Sequence, residues 1–387
     1  MPENVHPYQH IKALLTGGGS GGHVYPLLAV AERLRGIAAA ENIDLDLNYL
    51  GPKDEWISSL AVAHVGLGTI VSGKFRRYFS IENIFDIPKF FIGLFEALFK
   101  IYFIMPDVIF SKGGTGALSV VLAGWFYKIP IIIHESDAIP GLTNSISSRF
   151  ASRIAVSFPK TLEYFHPGKT AFAGTPVRKA VVSDIPEKAA AKERLGFDPA
   201  KPLTLILGGS QGAQRVNEFI ITNLPTFLKE TQIFHQTGTA NYKNVEYLSR
   251  VTVGESRAGD TAKRMYIPVP YLNQEEVKVA LAAADLVIAR SGSGTIAEIS
   301  AFGKPSILIP LTESANDHQR MNAYEYSKTG AAIVIEENNL LPAILADQIK
   351  SIVQNPMVME RMNVAAKNLF KPDAAEAIAR EILRLGG

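Results

Sequence analysis

The 387-residue sequence predicts an α/β protein of two doubly wound, parallel-sheet, Rossmann-like domains. Three observations predict it. Strand, glycine turn and helix follow one another along the chain, which calls for parallel strands with covering helices. The pattern restarts near the middle. A chain of this length, 47% hydrophobic, also exceeds one ordinary core and suits two domains of about 150–200 residues.

In the first half, residues 11–16 read as a short apolar strand, 17–22 as the turn and 24–40 as a helix with apolar residues at helical spacing. Residues 45–50 read as the second strand. The restart comes at 203–207, a strand leading into the loop 208–212 and a helix from about Ala213. A third unit follows: strand 285–289, loop 290–294, helix 295–302 and strand 306–310. Between 158 and 202 lie Pro159, Pro167, Pro176, Pro186, Pro199 and Pro202, which mark the junction. The expected division is therefore 1–175, 176–371 and a C-terminal helix within 372–387 that packs back on the first domain.

Composition removes several function classes. Basic residues number 39 and acidic 37, a net charge of +2, which argues against nucleic acid as a partner. With no cysteine there is no disulfide, thiolate metal site or cysteine nucleophile. Residues 1–10 lack the basic start and apolar run of a signal peptide. The greasiest stretch, 87–110, is interrupted by Pro88, Lys89, Glu96, Lys100, Pro106 and Asp107. A spanning helix needs about 20 mostly apolar residues, so none is expected.

The glycine turns point to phosphate. Small residues at a strand-to-helix turn let backbone N–H groups approach an anion, and the helix start adds partial positive charge. Gly17, Gly19 and Gly22 satisfy G-x-G-x-x-G, but a nicotinamide site also wants an acid at the end of the second strand. That strand ends in Gly51-Pro52-Lys53, with Asp44 and Asp46 at its beginning, which disfavours a dehydrogenase. His23 directly follows the glycines. A lone histidine is more often structural, yet beside an anion site facing an interdomain cleft a neutral imidazole can take a proton from an attacking hydroxyl.

Residues 290–298 carry the more specific signal. Ser291, Gly292, Ser293, Gly294 and Thr295 supply a flexible turn and hydroxyls at a helix start, suited to a diphosphate. Glu298, about one turn on, can accept from both hydroxyls of a ribose. The alternative is an ordinary capped helix with an acidic first turn. Ser210 in the 208–212 loop and Gln319 in Asn316-Asp-His-Gln319 tip the balance to a nucleotide-sugar site.

Residues 75–110 hold 11 of the 35 aromatic residues. Phe91, Phe95, Phe99 and Tyr102 fall at helical spacing, fringed by Lys74, Arg76, Arg77, Lys89 and Lys100. This pattern suits an anionic membrane surface; its rival is a helix packed between sheet and solvent. Both fit if part of the segment is buried and 75–90 exposed.

In order along the chain stand Gly18-Gly-Ser-Gly-Gly-His23, His134-Glu135 with Gly141-Leu-Thr-Asn144, Gly174-Thr-Pro-Val-Arg178, Gly208-Gly-Ser-Gln-Gly-Ala213, Arg290-Ser-Gly, Glu298 and Asp317-His-Gln319. Together, over about 12–385, they resemble the MurG family of bacterial N-acetylglucosaminyltransferases, glycosyltransferase family 28, which convert lipid I to lipid II in peptidoglycan synthesis. The resemblance implies a GT-B fold, two Rossmann-like domains facing an interdomain cleft. It implies UDP-N-acetylglucosamine as donor, bound mainly by the second domain, and a polyprenyl-pyrophosphoryl lipid as acceptor. It also implies an inverting direct displacement with no metal or other cofactor, at the cytoplasmic face of the inner membrane. Carried over by position, Arg178 and Ser210 contact the donor and Leu272 meets uracil through its backbone. Ser293, Gly294, Thr295, Ile296, Ala297 and Glu298 hold diphosphate and ribose, and Gln319 the sugar hydroxyls. Ser20, Gly21 and Gly22 face the reacting sugar, with His23 the base and Glu135 or Asp137 its replacements.

Three positions depart from the family pattern. Asp137 stands where relatives have Asn; it still accepts from a sugar hydroxyl but loses the amide donor. Gly294 replaces a bulkier residue, and Arg320 stands where a second Gln often sits. Rival readings are a GT-B transferase with another acceptor, a UDP-N-acetylglucosamine 2-epimerase and a non-catalytic nucleotide-sugar sensor. An epimerase needs further acids beside the sugar and no lipid-facing surface.

Overall fold

The computed structural model describes residues 9–55, 57–73, 82–208, 213–254, 265–314 and 317–387. The chain divides into two compact units. One runs to Arg178 and takes in Lys371–Gly387; the other is Lys179–Phe370.

The first unit holds a seven-stranded parallel sheet of β1 (His10–Gly18), β2 (Asp44–Gly51), β3 (Gly66–Thr69), β4 (Val108–Gly114), β5 (Ile131–Glu135), β6 (Arg153–Val156) and β7 (Thr170–Phe172). Their order is β3-β2-β1-β4-β5-β6-β7. Central parallel strands are covered on both faces and so read as unbroken apolar runs; Ile131, Ile132 and Ile133 are all buried. The strand period of two sorts the core. Ile11, Ala13 and Leu15 face one side, with Val24, Leu27 and Leu34 of α1 (Gly21–Glu41). Leu14 faces the other, with Ala97 and Ile101 of α2 (Glu82–Ile104) and Val120 and Val121 of α3 (Ala117–Phe126). A short α4 (Leu142–Ser147) follows β5.

The C-terminal helix Ala374–Gly386 belongs to this unit. Ile378, Ala379, Ile382 and Leu383 make one apolar stripe, buried in the same cluster as Ile11 and Leu34. Arg33 pairs with Glu376, Arg380 with Glu41 at 3.1 Å and Arg153 with Glu381 at 2.9 Å, fixing its register on α1 and the sheet.

The second unit holds a six-stranded parallel sheet of β8 (Leu203–Leu207), β9 (Gln232–Gln236), β10 (Tyr266–Val269), β11 (Leu286–Ala289), β12 (Ser306–Leu308) and β13 (Ala332–Val334), ordered β10-β9-β8-β11-β12-β13. Helices α5 (Gln214–Thr222), α6 (Ser293–Ala301) and α7 (His318–Ser327) follow β8, β11 and β12. At the N-terminal end of the sheet a buried ion cluster ties β8 to β11. Asp285 accepts from Lys188 Nζ at 2.7 Å and Leu203 N at 2.9 Å, and pairs with Lys192 at 2.6 Å. Burial alone would raise its carboxyl, but the hydrogen bonds from Lys188 and Lys192 outweigh that and hold it below the usual aspartate range.

Removing one member of a buried pair strands the other charge, and Lys192 is 3% exposed. Asp285→Ala is therefore expected to destabilise the second unit by about 3 kcal/mol, read as a lower urea midpoint at pH 7. Because the folded carboxyl titrates low, this stabilisation is complete above the ordinary aspartate range and is lost as pH falls through the folded value. The gap between wild type and variant should close in acid; an unchanged midpoint at pH 7 would contradict the assignment.

Candidate active site

In the first unit the strand order reverses between β1 and β4, and doubly wound sheets bind ligands in the crevice beyond the strand ends at that point. Two glycine loops emerge there. In the first, Gly19 has φ +89° and donates its N–H to Asp54 Oδ2 at 2.9 Å. In the second, 113–116, Gly113, Gly114 and Gly116 all have φ near +80°, where a side chain is strained. A Cβ on Gly114 would lie 2.4 Å from the Gly18 carbonyl oxygen, and one on Gly18 would lie 2.4 Å from Pro52 Cγ. The loops approach this closely because Gly114 has no side chain, and Gly18 in turn makes room for Pro52.

Each loop opens a helix. The N-caps of α1 and α3, Ser20 and Gly116, make no side-chain capping bond, and neither helix has an acid in its first turn. The positive ends of both helices are thus not neutralised by their own side chains, the arrangement that favours an anion. A pocket of about 250 Å³ lies here, lined by Gly18, Gly19, His23, Gly114, Thr115 and Thr143 among others. Ser20 Oγ lies 2.9 Å from His23 Nδ1. Gly21 is buried and Gly22 exposed. Arg178, in the same unit, stacks on Tyr25 with its guanidinium carbon 4.5 Å from the ring centroid.

Glu135 and Asp137 sit at the end of β5 and in the turn beyond it. Glu135 is buried and accepts from Asp137 N, Gly141 N and Asn144 Nδ2, each at 3.0 Å. Burial, then the Asp137 charge, raise its carboxyl above the usual range against the opposing pull of Lys112. Asp137 is partly exposed, and its carbonyl accepts from Thr161 Oγ1 at 2.9 Å. His134, fully buried between Gly174 O at 3.0 Å and Ser157 Oγ at 3.1 Å, is pushed down to about 3 by burial and by Lys112, so its ring is neutral.

The second unit repeats the plan: its strand order reverses between β8 and β11. Gly208 follows β8; Ser210 lies outside the described residues. After β11, Ser291 is buried and donates to Gln319 O at 2.7 Å, and Asn322 Nδ2 donates to Ser291 O at 3.2 Å. Helix α6 starts at Ser293 with no side-chain cap and no acid in its first turn, so the capped, acidic-turn alternative does not apply. Glu298 lies in the second turn, partly exposed like Ser293, Gly294, Thr295 and Ala297, while Ile296 is buried. A Cβ at Gly294 would meet nothing within 4 Å, so local packing does not require glycine there. Gln319 Oε1 accepts from Leu311 N at 3.2 Å, and Arg320 is paired with Asp317 at 2.6 Å. Leu272 is buried just before the helix Gln274–Ala283.

Two groups at this site escape a sequence reading. The 113–116 loop completes the first pocket; its signal was Gly-Gly-Thr-Gly between strand and helix. The Glu337 side chain is 5% exposed and binds Arg290, whose Nη1 also donates to Ile309 O and Pro310 O at 3.1 and 3.2 Å. This clamps the β11 loop to the end of β12. Burial raises the Glu337 carboxyl, but hydrogen bonds from Arg290 and Thr312 outweigh it and hold it low.

The aromatic stretch divides by face. Phe91, Phe95, Phe99, Tyr102 and Phe103 of α2 are 52–69% exposed, joined by Trp125 and Phe126 at the end of α3. Ala97 and Ile101 face the core. Phe90 is only partly exposed and lines the pocket, so the described exposed aromatics lie beyond the 75–90 segment expected to carry them. Lys74, Phe75, Arg76, Arg77 and Phe79 lie outside the described residues. No described helix is long and apolar enough to cross a membrane.

Comparison with known proteins agrees with this geometry. Residues 13–156 match the glycosyltransferase family 28 N-terminal domain, and 203–378 its C-terminal domain. The UDP-N-acetylglucosamine–N-acetylmuramyl-(pentapeptide) pyrophosphoryl-undecaprenol N-acetylglucosamine transferase 2 of Bacillus cereus is 35% identical over 374 residues, covering 96% of this chain and 99% of its own. The crystal structure of Acinetobacter baumannii MurG superposes with a TM-score of 0.72 at 24% identity, covering 97% and 99% of the two chains. A UDP-N-acetylglucosamine 2-epimerase shares the fold at 0.65 with 12% identity, covering 97% and 96%. With both family domains matched and a 35% identical relative along nearly its whole length, the chain belongs to glycosyltransferase family 28, among its MurG members.

Proposed function

We propose that the chain transfers N-acetylglucosamine from UDP-N-acetylglucosamine to lipid I with inversion, forming lipid II for peptidoglycan. Both substrates carry a diphosphate. The observation that carries the reading is that each unit offers a loop and an uncapped helix start at its own switch point. The first unit takes the acceptor diphosphate between the 17–22 and 113–116 loops. The second takes the donor: Ser293 to Ala297 hold its diphosphate, Glu298 the ribose, Gln319 the sugar and the Leu272 backbone the uracil.

His23 is the base. The acceptor hydroxyl gives its proton to the imidazole as its oxygen bonds to the anomeric carbon, and the bond from that carbon to UDP breaks with its electrons leaving on the diphosphate. Acting through Nε2, the ring keeps Nδ1 on Ser20, which fixes its orientation. Glu135, already engaged by three N–H donors, shapes the turn that presents Asp137 to the acceptor.

The exposed aromatic face of α2 and α3, with exposed Lys89 beside it, docks the protein peripherally on the cytoplasmic face of the plasma membrane, where its lipid acceptor lies. An epimerase would have no use for such a face.

Incubation with labelled UDP-N-acetylglucosamine and a lipid I analogue should move label to the lipid. His23→Ala should lower turnover by about 10²–10⁴-fold while donor affinity holds. Donor epimerisation, or binding without transfer, contradicts the reaction; near-normal turnover in His23→Ala reassigns the base to Asp137.

Sedimentation with anionic vesicles tests the docking face. The Phe95→Ser, Phe99→Ser, Trp125→Ser triple variant should stay in the supernatant while wild type pellets. Equal pelleting removes the membrane assignment.

A further inference from the structure

Lys112, the residue from which the 113–116 loop departs, is 2% exposed. An ammonium removed from water persists only where partners surround it. Its Nζ donates to Ser136 Oγ at 2.9 Å, in the turn after β5. Its stem packs on the first glycine loop: Lys112 Cβ lies 3.0 Å from where a Cβ on Gly17 would be. This one side chain therefore touches the first loop, leads into the second and reaches the turn that carries Asp137. The charged groups facing it are Glu135 and Asp137, with His134 beside it held neutral.

We propose that Lys112 is a positioning residue of the acceptor pocket: it holds the Ser136–Asp137 turn against the two glycine loops and balances the charge of Asp137. The assignment of this pocket to the acceptor rests on the function proposed above. Burial lowers the Lys112 ammonium below the usual lysine range, and the charges of Glu135 and Asp137 oppose that shift in part. Glu135 is committed to Asp137 N, Gly141 N and Asn144, so its own position depends on the same turn. Losing the ammonium leaves the buried Glu135 carboxyl facing the partly exposed Asp137 carboxylate with no counter-charge between them, and the turn relaxes away from the loops.

The test is a double-mutant cycle of Lys112→Met, Asp137→Asn and the double variant in the full chain. Lys112→Met should lower kcat/KM for a lipid I analogue at least about tenfold, through acceptor KM, with donor KM unchanged. The double variant, relieved of one carboxylate, should unfold at a higher temperature than Lys112→Met, and should fold even where Lys112→Met does not. Lys112→Met with wild-type acceptor KM overturns the proposal. So does a double variant that unfolds no later than Lys112→Met or fails to fold with it. The unfolding arm needs no substrate, so absence of transfer in wild type would fault the functional reading and leave Lys112 to be judged by the cycle.

Discussion

The close approach of two backbones at the β1/β4 switch point is the constraint on which the first unit depends. Strand order reverses there, so successive loops leave toward opposite faces of the sheet and their edges meet above the strand ends. Gly114 and Gly18 come so near that a Cβ on the former would sit 2.4 Å from the carbonyl of the latter. Only a residue without a Cβ at position 114 permits it. The result is two helix starts, α1 and α3, aimed into one pocket with His23 on its wall. Around this contact the rest is support: Asp54 holds Gly19, Tyr49 donates to Gly17 O, and Lys112 packs against Gly17 and donates to Ser136 Oγ.

The second unit reaches a similar end by other means. Its β11 loop is set by side chains. Ser291 and Asn322 tie it to α7, Arg290 Nη1 fastens it to the end of β12 through the Ile309 and Pro310 carbonyls, and the Arg290–Glu337 pair fastens it to the turn after β13. An open position at Gly294 and a rigid base beneath suit a loop that must wrap a flexible diphosphate. The partial charges of the helix start supply attraction, and the clamp supplies geometry.

Much of this was legible in the sequence. Glycine turns after apolar runs located β1, β8 and β11 and the helices that follow them, because strand, turn and helix each leave a strong local signal. The Leu203–Leu207 strand agrees in both bounds, whereas the strand expected at 306–310 stops at Leu308. The 113–116 loop was harder to see. It abuts the aromatic stretch, whose composition dominates the local pattern, and its glycines matter only because β4 lies beside β1, a fact of topology. Burial of Glu135 and Lys112 was equally invisible: each reads as an ordinary charged residue until neighbouring strands bring donors and counter-charges around it. The aromatic helix shows the converse. Its spacing revealed a stripe, but only packing decided that Ala97 and Ile101 face inward while Phe95 and Phe99 face out.

The glycine contact between the β1 and β4 loops shapes the acceptor pocket. Gly114→Ala measures it most directly, since one methyl at φ +84° presses on Gly18 O and the His23 ring. Gly114→Ala is expected to fold with donor affinity intact and to lose transfer to a lipid I analogue about a hundredfold, the scale of a 1 Å misplacement. Full transfer by Gly114→Ala would contradict it.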